Sequence, residues 1–263
     1  MSDEEKNKKI ATVIGQLRAN KQLILTGAPG TGKTYLAQRL AAWMIYGKSN
    51  DVPTKTEDID EKWKELNEDL NKTSPPDLPK YHFIQFHPGY DYSDYVVGLK
   101  PILVNDNVSF EWKDGIFKKI CDAAKNNTEA IYAIVIDEIN RADLSRVFGE
   151  LFFCLEEDYR GNSVTLPSGD SFTIPPNVYI IGTMNDIDRS VESMDFALRR
   201  RFAWHEITAK ESAHIIDNID ESIKKENRDE IIREAKERME NLNKALAEGD
   251  AKLGPEYMLG GAY

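Results

Sequence analysis

The chain is poor in cysteine: Cys121 and Cys154 are the only two in 263 residues. Neither belongs to a CxxC pair or lies beside a histidine cluster, which excludes a disulfide scaffold and the usual signature of a zinc site. Both read as reduced, buried thiols of a cytoplasmic protein. Histidine is scarce as well, and His82, His87, His205 and His214 do not fall at metal-ligand spacing. No apolar run reaches the roughly 18 residues of a membrane-spanning helix. The start, Met1-Ser2-Asp3-Glu4-Glu5, is acidic where a secretory leader has an apolar core. Positive charge is also in deficit: 34 Lys+Arg against 45 Asp+Glu give a formal charge of −11. Phosphate affinity needs clustered cations, so a dedicated DNA-coating surface is excluded, while contact through a few local loops is not. No Ser or Cys sits in a nucleophile-elbow pattern, and there is no internal repeat or low-complexity tract.

What is present is a long chain, 41% hydrophobic and 30% charged, able to bury a core without disulfides or metals. Residues 4–19 predict a helix with Ile10, Val13, Ile14 and Leu17 on one face. Gln22–Thr26 predicts a buried strand. A Gly-rich turn follows, then a helix carrying Leu36, Leu40 and Trp43 and ending at Gly47. Strand, glycine turn and helix open an α/β domain with a parallel sheet. Residues 48–80 are dense in charge and proline and read as a surface insertion with a short helix over Glu61–Leu70. Tyr81–Phe86, Ala130–Ile136 and Val178–Gly182 predict further strands. Ile102–Val104 with Val108–Phe110, and Ser163–Leu166 with Ser171–Ile174, predict hairpins; Trp112 is expected to pack against the sheet, its alternative being an exposed contact residue. Asp143 is the expected N-cap of a helix whose core stripe is Leu144, Val147, Phe148, Leu151 and Phe152. From Thr208 the chain turns helical and charged, through Ile231, Ala235, Met239 and Leu242.

Two elements carry chemistry. Gly27-Ala28-Pro29-Gly30-Thr31-Gly32-Lys33-Thr34 satisfies G-x-x-x-x-G-K-[ST] between a strand and a helix. The glycines let successive backbone N–H groups turn inward onto phosphate oxygens, and the helix N-terminus adds partial positive charge. Lys33 is the expected ligand of the β- and γ-phosphates, and Thr34 offers a hydroxyl to Mg2+. Ile134-Val135-Ile136-Asp137-Glu138 places two carboxylates at the C-terminal end of an apolar strand, the edge where open α/β sheets bind ligands. Neighbouring residues of a strand point to opposite faces, which suits two tasks: Asp137 for Mg2+ and Glu138 as general base on water.

These residues resemble the AAA+ nucleoside triphosphatases. Asp137-Glu138-Ile139-Asn140-Arg141-Ala142 is similar to the DEINRA run of the branch holding the McrB-like and MoxR-like proteins. Gln85–Tyr90 with Asp94–Pro101 resembles the FHPxY…GxxP stretch of the McrB-like family. Met184–Ser190 resembles its MNTADRS signature, with Asp186-Ile187 in place of Thr-Ala. Phe196–Phe202 matches the ALRRRF that follows, and Leu253–Tyr263 resembles LGPxYxIGHSY, with Gly261-Ala262 in place of His-Ser.

The resemblance implies an α/β P-loop fold with a parallel central sheet, β-hairpin insertions and a small, truncated C-terminal helical lid. Residues 1–207 would form the AAA+ core, including the insertion at 48–80, and residues 208–263 a partial lid. It implies Mg2+-dependent hydrolysis of ATP or GTP by the motor of a modification-dependent restriction system. Expected partners are further copies in a ring of six, a McrC-like nuclease, and DNA held by another domain or chain. The base stays open, since the Ras-type N-K-x-D motif is absent and AAA+ proteins usually take ATP whereas McrB takes GTP. Asn185 is implied as the sensor that orients the lytic water, with its alternative a turn-forming Asn at a strand end. Asp188 is implied as its partner in the signature, or else a helix N-cap. Arg200 and Arg201 are implied as arginine fingers, cis and trans roles unseparated, beside the weaker candidates Arg141 and Arg189. A MoxR-like protein-remodelling ATPase, or a nucleotide-dependent assembly module with little hydrolysis, is the alternative.

Overall fold

In the computed structural model the described residues are 3–47, 51, 53, 55–72, 79–105, 107–185, 196–213, 216, 225–248 and 252–262. Helix α1 (Asp3–Asn20) leads through Lys21, at positive φ, into strand β1 (Gln22–Gly27) and helix α2 (Lys33–Tyr46). Helix α3 (Thr56–Lys72) follows, then β2 (Tyr81–Gln85) and the single turn α4 (Tyr92–Tyr95). Strands β3 (Val97–Val104) and β4 (Asn107–Asp114) form a ribbon of their own before α5 (Ile116–Asn126) and β5 (Tyr132–Asp137). Helix α6 (Leu144–Phe148), the short hairpin strands β6 (Val164–Thr165) and β7 (Ser171–Phe172), and β8 (Val178–Asn185) come next. The remaining elements are α7 (Phe196–Arg201), β9 (Ala203–Glu206), α8 (Ala209–Ser212) and α9 (Lys225–Glu248).

Five strands make one parallel sheet in the order β2-β5-β8-β1-β9. Each interior strand is apolar on both faces, as a sheet covered by helices on both sides requires. In β5, Ile134 and Ile136 enter the core shared with α5 and α6, while Ala133 and Val135 enter the core shared with α1, α2 and α3. Because all five strands run the same way, their C-terminal ends share one edge, and the chemistry-bearing segments gather there.

The sequence-level expectations are met in outline and corrected in two places. The insertion helix is longer than Glu61–Leu70 and is part of the fold. Ile59 and Leu66 are buried, and Trp63 and Leu70 pack on the same cluster as α2, because they follow one another at i, i+4, i+7 and i+11 along one face. Arg39 of α2 pairs with Asp60 of α3, and Tyr46 donates to Asp69. Second, Trp112 does not pack on the central sheet. The β3–β4 register pairs Leu99 with Trp112, Pro101 with Phe110 and Leu103 with Val108, so over these three pairs one ribbon face is apolar, and it is exposed. The charged helix expected beyond Thr208 is present as α9; Ile231 and Leu242 are exposed on it and no described side chain of the helix is fully buried. Cys121 and Cys154 are buried as expected. Among the described residues no group of three or more His, Cys, Asp or Glu side chains is placed to hold a metal, and no helix is long and apolar enough to cross a membrane.

One surface junction positions β9 and α8. Thr208 caps α8 in a reciprocal box with Glu211, and Lys9 of α1 donates to the Glu211 carboxylate. Burial pushes Glu211 up, but the hydrogen bonds from Lys9 and the Thr208 N–H outweigh it and hold the carboxyl below the ordinary glutamate value. A depressed folded-state pKa gives stability that is present above the unfolded value and lost as pH falls through the folded one. Glu211→Gln should therefore lower the thermal midpoint near neutrality and flatten the acid limb below the ordinary glutamate range. Thermal melts against pH measure this, and an unchanged acid limb contradicts it.

Candidate nucleotide site

The phosphate-binding loop leaves β1 at the shared strand edge. Gly30 and Gly32 have φ of 72° and 83°, the left-handed region where a side chain is strained, and Gly32 is the residue from which α2 starts. A Cβ on Gly27 would lie 2.2 Å from the Ile207 carbonyl oxygen, so only glycine lets the end of β9 close on the loop. Lys33 is buried; its ammonium donates to the carbonyls of Gly27 at 2.9 Å and Ala28 at 2.7 Å, inside the curve of the loop. Thr31 Oγ1 donates to the Ala28 carbonyl at 3.0 Å. The sequence-predicted residues from Gly27 to Thr34 thus form one structural unit.

The acidic pair meets this loop directly. Asp137 Oδ1 accepts from Thr34 Oγ1 at 2.7 Å and from Thr183 Oγ1 at 2.6 Å. A threonine hydroxyl beside a carboxylate is a hard-oxygen pair of the kind Mg2+ binds, so the residues present fit that ion. Glu138 stands one residue on, with φ of 53°, a backbone conformation rare outside glycine. Its N–H donates to Thr183 Oγ1 at 3.2 Å, and one carboxylate oxygen accepts from Asn185 Nδ2 at 2.7 Å. Arg141 approaches the other oxygen at 3.5 Å. The strained turn aims Glu138 away from Asp137, and Asn185, at the end of the neighbouring strand β8, fixes its carboxylate.

The arginines separate. Arg199 and Arg200 are exposed on α7. Arg201 is folded onto its own chain: its guanidinium pairs with Glu156 at 2.6 Å and lies 4.7 Å from the Phe152 ring centre. Its carbonyl accepts from Gln22, whose own oxygen accepts from the part-buried Arg160. Burial brings the Arg160 pKa down to about 10. Asp188 and Arg189 lie outside the described residues.

Sequence reasoning missed Thr183, the hydroxyl that ties Asp137 to the Glu138 backbone. Its signal was a polar residue inside the apolar run Val178–Met184, at the register position opposite Leu25 of the loop strand. It also missed Glu156, because the pairing with Arg201 spans a connection that no local pattern encodes.

A parallel sheet in this order, with β8 inserted between the phosphate-loop strand and the acidic strand, and with a lysine loop facing an Asp-Glu pair, defines a nucleotide-binding P-loop domain of the AAA+ type. Residues 78–202 match the family described as AAA domain (dynein-related subfamily), and residues 5–73 match the one described as Novel STAND NTPase 3. The chain is 33% identical over 260 residues to the Type IV methyl-directed restriction enzyme EcoKMcrB subunit of Escherichia coli (strain K12), covering 97% of this chain and 49% of that one. It is 22% identical over 274 residues to the Type II restriction enzyme BsuMI component YdiS of Bacillus subtilis (strain 168), covering 89% of this chain and 71% of that one. A cytoplasmic dynein heavy chain of Eremothecium gossypii matches at 32% identity over 90 residues, 32% of this chain and 2% of that one. The chain belongs to the McrB-like AAA+ NTPases, and it spans about half the length of the first of these relatives.

Thr183 is 2% exposed, and its hydroxyl serves both the Asp137 carboxylate and the Glu138 N–H. Thr183→Val keeps the shape and removes both bonds. The variant should lose about 1–3 kcal/mol of stability, the cost of a missing hydrogen bond to a charged, part-buried group. Urea unfolding without nucleotide is the measurement, and a midpoint within error of wild type contradicts it.

Proposed function

We propose that the chain hydrolyses nucleoside triphosphates, ATP or GTP, as the motor subunit of a modification-dependent DNA restriction system. The observation that carries this is the Asn185–Glu138 contact at 2.7 Å beside the Thr34–Asp137 contact at 2.7 Å. It sets a held general base next to a cation-binding pair at the mouth of a phosphate loop. In this reading the loop N–H groups and Lys33 bind the phosphates. Thr34 and Asp137 hold Mg2+, which when bound neutralises phosphate charge. Glu138 takes a proton from water as the water oxygen bonds to the γ-phosphorus and the bond to the β-phosphate oxygen breaks. Asn185 orients Glu138 and that water.

The same proposal divides the chain into an AAA+ core over 1–207 and a partial lid over 208–263, working in the cytoplasm. It assembles into a ring with further copies and acts with a McrC-like nuclease, while another domain or chain recognises DNA. The names of the two restriction-enzyme relatives support the restriction setting, and the charge of −11 supports placing DNA recognition elsewhere. Arg200, exposed on α7, is the candidate finger offered to a neighbour; Arg201, held by Glu156, fits a structural role.

A binding panel of ATP, GTP and their diphosphates tests the site. Lys33→Ala should weaken triphosphate binding about 10- to 100-fold. Glu138→Gln should bind normally and lose about 10²- to 10⁴-fold in turnover. Wild-type binding by the first variant, or unchanged turnover by the second, removes the assignment.

The trans arrangement is tested by mixing. An Arg200→Ala subunit and a Lys33→Ala subunit each lack a different half of a shared site. Each alone should be slow, the arginine variant by about 10³- to 10⁵-fold, and the mixture should recover part of the activity. Full activity of the arginine variant alone contradicts the role.

A further inference from the structure

The carbonyl side of the phosphate loop is as fully engaged as its N–H side is shaped for phosphate. Gly27 and Ala28 direct their carbonyls to Lys33. The next two carbonyls, of Pro29 and Gly30, turn outward and accept from a segment more than 200 residues away in sequence: Gly260 N–H at 3.1 Å and Ala262 N–H at 2.8 Å. The fit is close. A Cβ on Gly260 would stand 2.3 Å from the Gly30 oxygen and 2.6 Å from the Thr31 nitrogen, both backbone atoms that cannot swing away. A Cβ on Gly261 would stand 2.3 Å from the Ser212 carbonyl oxygen, so the glycine that replaces the family's histidine is what lets the segment lie flat against α8.

The segment is itself held from two directions. Asn243 of α9 grips Leu259 at both ends of its backbone, its Nδ2 donating to the Leu259 carbonyl at 3.0 Å and its Oδ1 accepting from the Leu259 N–H at 2.7 Å. Ser212 Oγ, on a fully buried side chain, accepts from Gly261 N–H at 3.0 Å. A chain of direct contacts therefore runs from α9 through Asn243, Leu259 and Gly260 to the loop.

The chemistry follows from the peptide unit. The Pro29 carbonyl and the Gly30 N–H are two ends of one planar amide, and so are the Gly30 carbonyl and the Thr31 N–H. A donor on the oxygen fixes the plane of the unit and polarises its N–H, strengthening the bond that N–H gives to an anion. We propose that Leu259–Ala262 is a latch on the back of the phosphate loop, and that Gly260 and Asn243 are positioning residues for the triphosphate. Binding of the triphosphate and docking of the segment then reinforce each other, so a movement of α9 alters affinity at the loop, and occupancy of the loop holds α9. This rests on the nucleotide-site reading above.

The experiment uses the whole chain and Mg2+ with a non-hydrolysable triphosphate analogue, with inorganic triphosphate as a probe that lacks a base. Asn243→Leu removes the grip on Leu259 without touching the loop, and Gly260→Ala wedges the interface directly. Each should weaken both probes about tenfold or more, the effect of one lost hydrogen-bonded contact. Asn243→Asp, which keeps the acceptor for the Leu259 N–H, should recover part of the affinity. In the wild-type chain, hydrogen exchange at Gly260 and Ala262 should slow when either probe is added, a response that a merely structural segment does not give. If the wild type binds and Asn243→Leu binds equally well, or the two amides exchange at the same rate with and without probe, the latch is wrong while the site stands. If the wild type binds neither probe, the site reading fails and the latch with it.

Discussion

One carboxylate oxygen organises the strand edge that carries the phosphate loop. Oδ1 of Asp137 accepts from Thr34, which opens α2, and from Thr183, near the end of β8. The three residues belong to three segments distant in sequence, so these two bonds lock the phosphate loop, the acidic strand and the strand between them into one register. The other features of the site are consequences. Thr183 also takes the Glu138 N–H, which holds that residue in its left-handed turn, and the turn presents the carboxylate to Asn185. A hydrogen bond to a charged group is worth roughly twice a neutral one. A part-buried carboxylate with two hydroxyl donors is thus a strong local restraint at the place where the backbone is least comfortable.

The elements easiest to see in the sequence were those whose physics is local. The phosphate loop is legible because each glycine answers to a backbone angle or a close approach. The parallel strands are legible because β-branched residues sit at consecutive positions, as in Ile134-Val135-Ile136. The Asp-Glu pair is legible because it ends such a run. What could not be read depends on partners far along the chain. Residues 48–80 looked like an excursion because charge and proline dominate the composition, yet four apolar residues at helical spacing seat α3 on α2. Trp112 looked like a packing residue because tryptophan usually is one; its exposure follows from the ribbon standing apart from the central sheet. Arg200 and Arg201 are adjacent and chemically identical, and only the fold separates them, since Glu156 and Phe152 claim one and leave the other exposed.

The two faces of the sheet divide the labour. One carries α1, α2 and α3, with Tyr81, Val135 and Ile181 among the residues that join them to the sheet. The other carries α4, α5 and α6 around Tyr95, a fully buried tyrosine stacked on Phe117 with ring centres 4.8 Å apart. The site lies on neither face but across the strand ends, so it inherits the stiffness of both layers while its polar groups stay clear of the apolar cores.

The β3–β4 ribbon has a colloidal consequence. An amphipathic two-stranded ribbon standing apart from the main sheet presents open strand edges as well as an apolar face, both sticky in water. Three features oppose indiscriminate contact. Pro101 removes one backbone donor from β3. Lys100, Glu111 and Lys113 place charge on the opposite face, and the formal charge of −11 makes copies of the chain repel one another at a distance. That repulsion is screened within roughly 10 Å at about 0.1 M salt, whereas the attraction between apolar faces is not. The ionic strength of the solution therefore sets how freely the chain stays dispersed: dilute salt keeps copies apart, and concentrated salt lets Leu103, Phe110 and their neighbours meet.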